Sequence, residues 1–544
     1  MSDNRFSRRY FFIGSLLAGA IPPGGFSSAQ SLKALGYKSP NEKLNLAAIG
    51  AGGQPFSDLR AAQAGVENVV ALADVDWVRG AQGFERSPQA TKYKDYRQML
   101  DKQGKDIDAI VVGTPDHMHA TAALACMQMG KHVYVEKPLT RTAWEARLLT
   151  QAGEKYKVAT QMGNQGYSHD ATRVAAEIFW SGEIGEVREV HAWHGGPGWP
   201  QGMQKIPAPS KVPDTFDWDL WLGGAAERPF TLGDDDYKAF ITSSGQRGSE
   251  YGFYAPFNWR GFCDFGSGLF GDWGVHILGP ANLALRLSPE SLISVETLKR
   301  EGTSPFTYPI KNAVKYEFGA RGNLPPVTVY WSDSIQGDAY LPPGMSVDDA
   351  KKIAGQGPQV GPVGRGGAGG GAGGAGRAGA GARGGAPGAG APGAPGAPGA
   401  GRGPGGPGGP GGGVPSTGYN SIFVGSKGYM GTSGRGEGVG LLPGSRWAEY
   451  QLPNAYLQRS PGATTGDNHS AHCRDWVRAC KGGAPACSNF SVAGPYTEWL
   501  VLGAVATHFE GKLLWDNAKM EFSNNKEATK WIKPVFRKGW EPKL

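Results

Sequence analysis

Leu44-Asn45-Leu46-Ala47-Ala48-Ile49-Gly50-Ala51-Gly52-Gly53 is the stretch from which the fold is read. The apolar run has the length of a buried parallel strand, and it stops at a glycine turn. Such a turn lets the backbone approach a pyrophosphate, while the helix that follows aims free N–H groups and its positive dipole end at the anion. The G-x-G-x-x-G fingerprint asks for a third glycine at position 55, where Pro55 stands, so Gly53 is expected to take over part of the close approach. A second run, Val69-Val70-Ala71-Leu72-Ala73, ends in Asp74, 24 residues after Gly50, where a carboxylate suits the ribose hydroxyls of NAD. Arg79 leaves room for the 2′-phosphate of NADP, and Asp74 can instead cap the next helix.

Working outward, strand-like runs recur at Ala109 to Val112, His132 to Val135 and Lys157 to Gln161, with amphipathic helical segments between them. This alternation means a parallel α/β sheet, an N-terminal Rossmann domain over residues 41–163. Ligand chemistry in such sheets gathers at the C-terminal ends of strands. There lie Thr114-Pro115-Asp116-His117-Met118-His119 and Glu136-Lys137-Pro138.

With Asp272-Trp273-Gly274-Val275-His276 further on, these motifs stand in an order that resembles the glucose-fructose oxidoreductase / inositol dehydrogenase / rhizopine-catabolism (Gfo/Idh/MocA) family. Trp218-x-x-Trp221-Leu222-Gly223, Asn258-Trp259-Arg260 and Gly271-Asp272-Trp273-Gly274 are similar to its exported bacterial branch. The resemblance implies an α/β fold in which a C-terminal α/β domain, residues 164–544, is built on a large, open, mostly antiparallel sheet that shapes a substrate pocket. Strand-like pieces at Val187 to Trp193, Ala313 to Phe318, Val327 to Trp331 and Ser421 to Val424 agree, as do helical stretches at His472 to Cys480 and Thr497 to Glu510.

Hydride transfer from a carbinol carbon needs a base for the hydroxyl proton, a cation beside the developing alkoxide and close placement of the carbon against nicotinamide. Lys137, Asp272 and His276 can supply these, and the i, i+4 spacing of the last two puts them on one helix face. In the family's pattern the histidine is the base, the aspartate orients it and the lysine contacts the reacting oxygen. Gly50, Gly52, Gly53, Asp74, Thr114, Pro115, His119 and Glu136 are the expected cofactor neighbours, Glu136 holding its loop rather than moving protons. The resemblance also implies a cis Lys137–Pro138 bond and turns His469 or His472 towards the pocket. Seven of 16 tryptophans fall between Trp180 and Trp273; Trp199, Trp259 and Trp273 are the first candidates for stacking on a sugar. The scheme needs no metal, and His469-x-x-His472-Cys473 only weakly suggests one.

Composition bounds the rest. At 544 residues the chain needs at least two domains. Its net charge of +7 is concentrated in two tracts, three arginines near the N-terminus and four between Gly361 and Gly413, so the folded body is near neutral and offers no electrostatic reason to bind nucleic acid. Five cysteines without a C-x-x-C pair argue for buried thiols rather than a disulfide framework. Residues 1–29 read as a twin-arginine export leader, Ser7-Arg8-Arg9-Tyr10-Phe11-Phe12 leading into a short apolar run, which implies a periplasmic or otherwise exported protein that used the twin-arginine machinery. No later run reaches the length of a membrane span. Between Gly361 and Gly413, 28 of 53 residues are glycine, and a disordered Gly/Ala/Pro-rich insertion is expected over 355–415.

The function these features imply is an exported oxidoreductase with a tightly held NAD, or NADP, acting on a hydroxyl of a sugar, polyol or glycoside. The alternative is a glycosidase or lyase that oxidises transiently and eliminates, without net redox change. A homo-oligomer is compatible with either.

Overall fold

β1 (Asn45–Ile49) runs into the glycine turn and out through α1 (Gln54–Gln63) in the computed structural model, which describes residues 42–196, 198–244, 252–333, 340–351, 417–460 and 468–544. β2 (Asn68–Ala73), α2 (Trp77–Arg86), β3 (Thr91–Tyr93), α3 (Tyr96–Gln103), β4 (Ala109–Val112), α4 (Asp116–Gln128), β5 (His132–Glu136), α5 (Ala143–Tyr156) and β6 (Thr160–Gly163) continue the alternation. The six strands pair parallel in the order β3-β2-β1-β4-β5-β6. Strand order reverses between β1 and β4, and that crevice is where a parallel sheet of this type takes its ligand. The last strand begins at Thr160 rather than Lys157, because Lys157 adopts a left-handed φ of 52° to end α5.

A second sheet follows α6 (Asp170–Trp180). Its strands are β7 (Val187–Trp193), β8 (Leu292–Glu301), β9 (Lys311–Phe318), β10 (Val327–Ser332), β11 (Ser421–Gly425), β12 (Gly428–Thr432), β13 (Val439–Leu442), β14 (Lys512–Asp516) and β15 (Glu521–Phe522). They lie in the order β13-β12-β11-β7-β10-β9-β8-β14-β15. Every neighbouring pair is antiparallel except β7 with β10, so the expected open, mostly antiparallel sheet is present.

Two late helices join the sheets. α7 (Asn468–Cys480) lies on α1, and its Cys473, Trp476 and Cys480 share a core with Leu46, Leu59 and Leu72. α8 (Phe490–Ala506) lies between α5 and the second sheet, with Trp499 edge-on to Tyr316 and Phe318 of β9. This helix starts at its Asn489 cap, not at Thr497, and carries Pro495 within it. Segment 164–544 therefore builds its own sheet and also covers a face of the first domain. All five cysteines are free thiols. Among the described residues no helix is long and apolar enough to cross a membrane. The leader expected over 1–29 lies outside the described residues, as does the whole of the insertion expected over 355–415.

Candidate functional site

At the β1–α1 turn Gly50 has φ 98°, in the region only glycine enters without strain. A side chain at Gly52 would place Cβ 2.0 Å from the Arg79 carbonyl oxygen, and one at Gly53 would meet the Arg79 guanidinium at 2.2 Å. Pro55 begins α1 beside the end of β4, where a Cβ at Gly113 would come within 2.4 Å of it. The close helix–strand packing that a third glycine normally provides is met here from the opposite side, by glycine at 113 under the proline ring. Asp74 ends the neighbouring strand; it accepts hydrogen bonds from the amides of Ala51 (2.8 Å) and Asp76 (2.9 Å). Burial raises its carboxyl to about 6 against the pull of those two amides. Asp76, not Asp74, caps α2.

A cleft opens over this turn, walled on one side by Gly50, Asp74 and Thr114 and on the other by Trp221, Trp259 and Arg260. Thr114 Oγ1, buried, has no hydrogen-bond partner among the described residues. A glycine cradle, an acid at the end of β2 and a donor–acceptor hydroxyl left unpaired fit a dinucleotide. Gly50, Gly52, Gly53, Asp74 and Thr114 are the residues that would hold it.

Lys137 follows β5, ahead of a cis bond to Pro138, and enters the same cleft. Its Nζ donates to Asp272 Oδ1 at 2.5 Å and to the Asp272 carbonyl at 3.2 Å, while Arg260 Nε reaches the same carboxylate oxygen at 3.3 Å. Burial alone would raise the Asp272 carboxyl, but the charges of Lys137 and Arg260 and the hydrogen bond from Lys137 hold it down at about 2. The carboxylate orients Lys137 Nζ as a hydrogen-bond donor.

His276 is 5% exposed, and its Nδ1 has no hydrogen-bond partner among the described residues. Burial, then the charges of Lys137 and Arg435, push its basicity well below the usual imidazole range, so the ring is neutral and able to accept a proton. One expectation is corrected here. The chain from Phe270 to Gly274 makes a wide turn in which the Val275 N–H reaches back to the Phe270 carbonyl, so Asp272 and His276 are not on a regular helical face. No hydrogen bond joins them among the described residues; Asp272 orients Lys137 rather than His276.

The remaining candidates divide. Pro115 lines the cleft, and so does Glu136, whose carboxylate is fixed by Gln165 Nε2 (3.0 Å) and the Lys137 amide (3.2 Å). His119 does not face it; its ring nitrogens sit against the Pro138 and Thr114 carbonyls at 2.9 and 2.8 Å, tying the two strand-end turns together. His472 is likewise turned inward, onto the Met162 carbonyl and Ser168, and His469 onto Asp58. Of the tryptophans, Trp259 lines the cleft with the Arg260 guanidinium over its ring, Trp273 stacks on His194 at 4.7 Å, and Trp199 is buried in the core. Sequence reading named Arg260 only within a motif and missed Asp116, whose buried carboxyl accepts from Ser267 N and Oγ and is pushed up to about 7 by burial.

Residues 44–164 match the model of the oxidoreductase family with an NAD-binding Rossmann fold. Over this segment the chain is similar to the Gfo/Idh/MocA oxidoreductases. Among curated Gfo/Idh/MocA-like relatives, dTDP-3,4-didehydro-2,6-dideoxy-alpha-D-glucose 3-reductase of Saccharopolyspora spinosa is 33% identical over 24% of this chain and 39% of its own length. Inositol 2-dehydrogenase of Rhodococcus erythropolis is 29% identical over 30% of this chain and 48% of its own. The chain thus spans less than half the length of the curated relatives that it matches. Levoglucosan dehydrogenase in complex with NADH superposes with a TM-score of 0.50 at 14% identity, covering 87% of this chain and 99% of that one. The WlbA dehydrogenase from Bordetella pertussis, in complex with NADH and UDP-GlcNAcA, gives 0.50 at 11% identity over 87% and 99%. These likenesses extend the shared fold across both domains.

Proposed function

We propose that this protein is an exported NAD(P)-dependent oxidoreductase that oxidises a hydroxyl-bearing carbon of a sugar, polyol or glycoside and keeps its nucleotide tightly bound. The observation that carries this reading is the placement of Lys137 Nζ, 2.5 Å from Asp272, in the cleft that also contains the glycine turn. When bound, a nicotinamide nucleotide supplies the hydride acceptor. Lys137 donates a hydrogen bond to the reacting oxygen, and Asp272 with Arg260 keeps that ammonium in place. His276, neutral in its buried pocket, takes the hydroxyl proton. The aromatic wall at Trp221 and Trp259 suits the apolar face of a carbohydrate ring. Relatives named for inositol and levoglucosan support a sugar or polyol as substrate.

Nucleotide released by denaturing the purified protein should be NAD or NADP by mass. A panel of sugars and polyols should reduce it, and Lys137→Ala should lower kcat by about 10²–10⁴ while NADH still binds. Full turnover by that variant would overturn the assignment, and aryl glycoside cleavage without net reduction would favour the eliminating alternative. The export part of the reading is tested by sequencing the N-terminus of the mature protein, which should begin near Gln30.

A further inference from the structure

A second cluster of chemically competent side chains lies behind the glycine turn, between α1 and α7, and the hydride-transfer scheme does not use it. Asp58, on α1, is completely buried. His469 and Cys473 are four residues apart on α7, so they project from one face of the helix towards it. His469 Nε2 is 2.6 Å from Asp58 Oδ1, and one carboxylate oxygen, one imidazole nitrogen and the Cys473 sulfur all lie within 4.8 Å of one another. Ligand atoms held about 2.0–2.3 Å from a common ion can be no more than about 4.6 Å apart, so small rotations of these side chains bring all three onto one centre.

Charge points the same way. The Glu136 carboxyl adjoins Asp58, whose Oδ1 also accepts from Gln54 Nε2 at 2.9 Å. Neither has a lysine or arginine ion-pair partner among the described residues; the one pair recorded is His469 with Asp58. Asp58 Oδ2 is buried and has no hydrogen-bond partner among the described residues. A buried carboxylate oxygen left without a partner beside an imidazole and a thiol is a group that a cation would satisfy. The mixed O, N and S donor set selects a zinc-like ion over calcium or magnesium. His469, with a third of its side chain exposed, leaves a path to solvent.

We propose that Asp58, His469 and Cys473 bind one divalent transition-metal ion of the zinc class, clipping α7 to the helix that carries the glycine turn. The inference is independent of the oxidoreductase reading, since none of the three residues lines the cleft.

Full-length protein stripped with chelator and titrated with Co²⁺ tests it directly. About one ion per chain should bind, with the near-ultraviolet thiolate-to-cobalt absorption of a cysteine ligand. Cys473→Ser should abolish that band, Asp58→Asn and His469→Ala should each weaken binding at least ~10-fold, and Cys487→Ser should leave it intact. Because a buried substitution can impair folding, X-ray absorption at the zinc edge of the wild-type protein gives a second reading: one sulfur at about 2.3 Å and nitrogen or oxygen ligands at about 2.0–2.2 Å. Substoichiometric uptake, a band that survives Cys473→Ser, or a shell without sulfur would overturn the proposal.

Discussion

At the scale of single residues, the reactive side chains owe their protonation states to burial set against a few nearby charges. Cys487 is the clearest case outside the cleft. His472 Nε2 lies 2.7 Å from the Met162 carbonyl, and its Nδ1 lies 2.5 Å from Ser168 Oγ and 3.9 Å from Cys487 Sγ, with Ser168 Oγ 3.1 Å from the same sulfur. Burial raises this thiol, but the hydrogen bond from His472 and the charge of Arg173 outweigh it and bring it down to about 7. Iodoacetamide should therefore label Cys487 first among the five cysteines, with a rate that rises through pH 7, whereas burial holds Cys126 and Cys263 far above that range. Mass mapping of labelled peptides across pH 6–9 checks this, and Ser168→Ala should move the midpoint upward. At the proposed active centre burial likewise makes His276 titrate well below the ordinary imidazole range, so, with His276 as the base, the acid limb of kcat/KM should lie below pH 6.5. Lys137, Asp272 and His276 could be picked out from sequence because each sits in a short motif. Their pairing could not: the i, i+4 rule assumes a regular helix, and the wide turn at 270–274 gives Asp272 to Lys137 and Arg260. Asp58 and His469, 411 positions apart, leave no local signal at all.

At the scale of elements, the strand–turn–helix unit was the most legible feature, since burial of β1 and the glycine turn are both encoded locally. The compensation for Pro55 was not, because it depends on Gly113 at the end of a strand about 60 residues away. Gly113→Ala would drive Cβ to 2.4 Å from the Pro55 ring and push α1 off the sheet. It should cost roughly 1–3 kcal/mol of stability and weaken nucleotide binding, both measurable by thermal unfolding with and without NADH. The start of α4 gives a prediction with the opposite sign. Asp116 has a folded pKa of about 7, raised mainly by burial above the ordinary carboxyl value. The folded state then binds the proton more tightly than the unfolded chain does, so stability is lost as pH rises from about 4 to about 7. Asp116→Asn keeps an acceptor for Ser267 without the charge. It should be more stable than wild type by roughly 1–3 kcal/mol above pH 7, with the difference shrinking towards pH 4, as denaturant unfolding at several pH values would show.

At the scale of the whole molecule, a parallel sheet and a mixed sheet are joined by helices that come late in the chain, which is why a boundary drawn near residue 163 captures the strands but not the packing. Apolar alternation identifies β7, β9, β10 and β11 almost to the residue, yet nothing in the composition of α7 says that it returns to cover α1. The glycine-rich tract poses the reverse problem: its composition excludes a core, and the question is what its flanks require. Ala350, ahead of the tract, and Tyr419, after it, belong to one apolar cluster with Trp193, Ile422 and Leu442, so the ordered ends meet on the same patch of the second sheet. Tyr340 also stacks on His191 of β7 with ring centres 3.8 Å apart, fixing the incoming side. Ends held together in this way can be joined by far fewer residues. Because closure entropy grows only with the logarithm of length, replacing residues 361–413 by about six glycines and serines should change stability by only about 1 kcal/mol, in the stabilising direction. The shortened protein should unfold at the wild-type temperature or a few degrees higher and reduce nucleotide at the wild-type rate. A fall in the unfolding temperature would mean that the tract contributes to the fold; an unchanged temperature with lost turnover would place it in the work of the cleft.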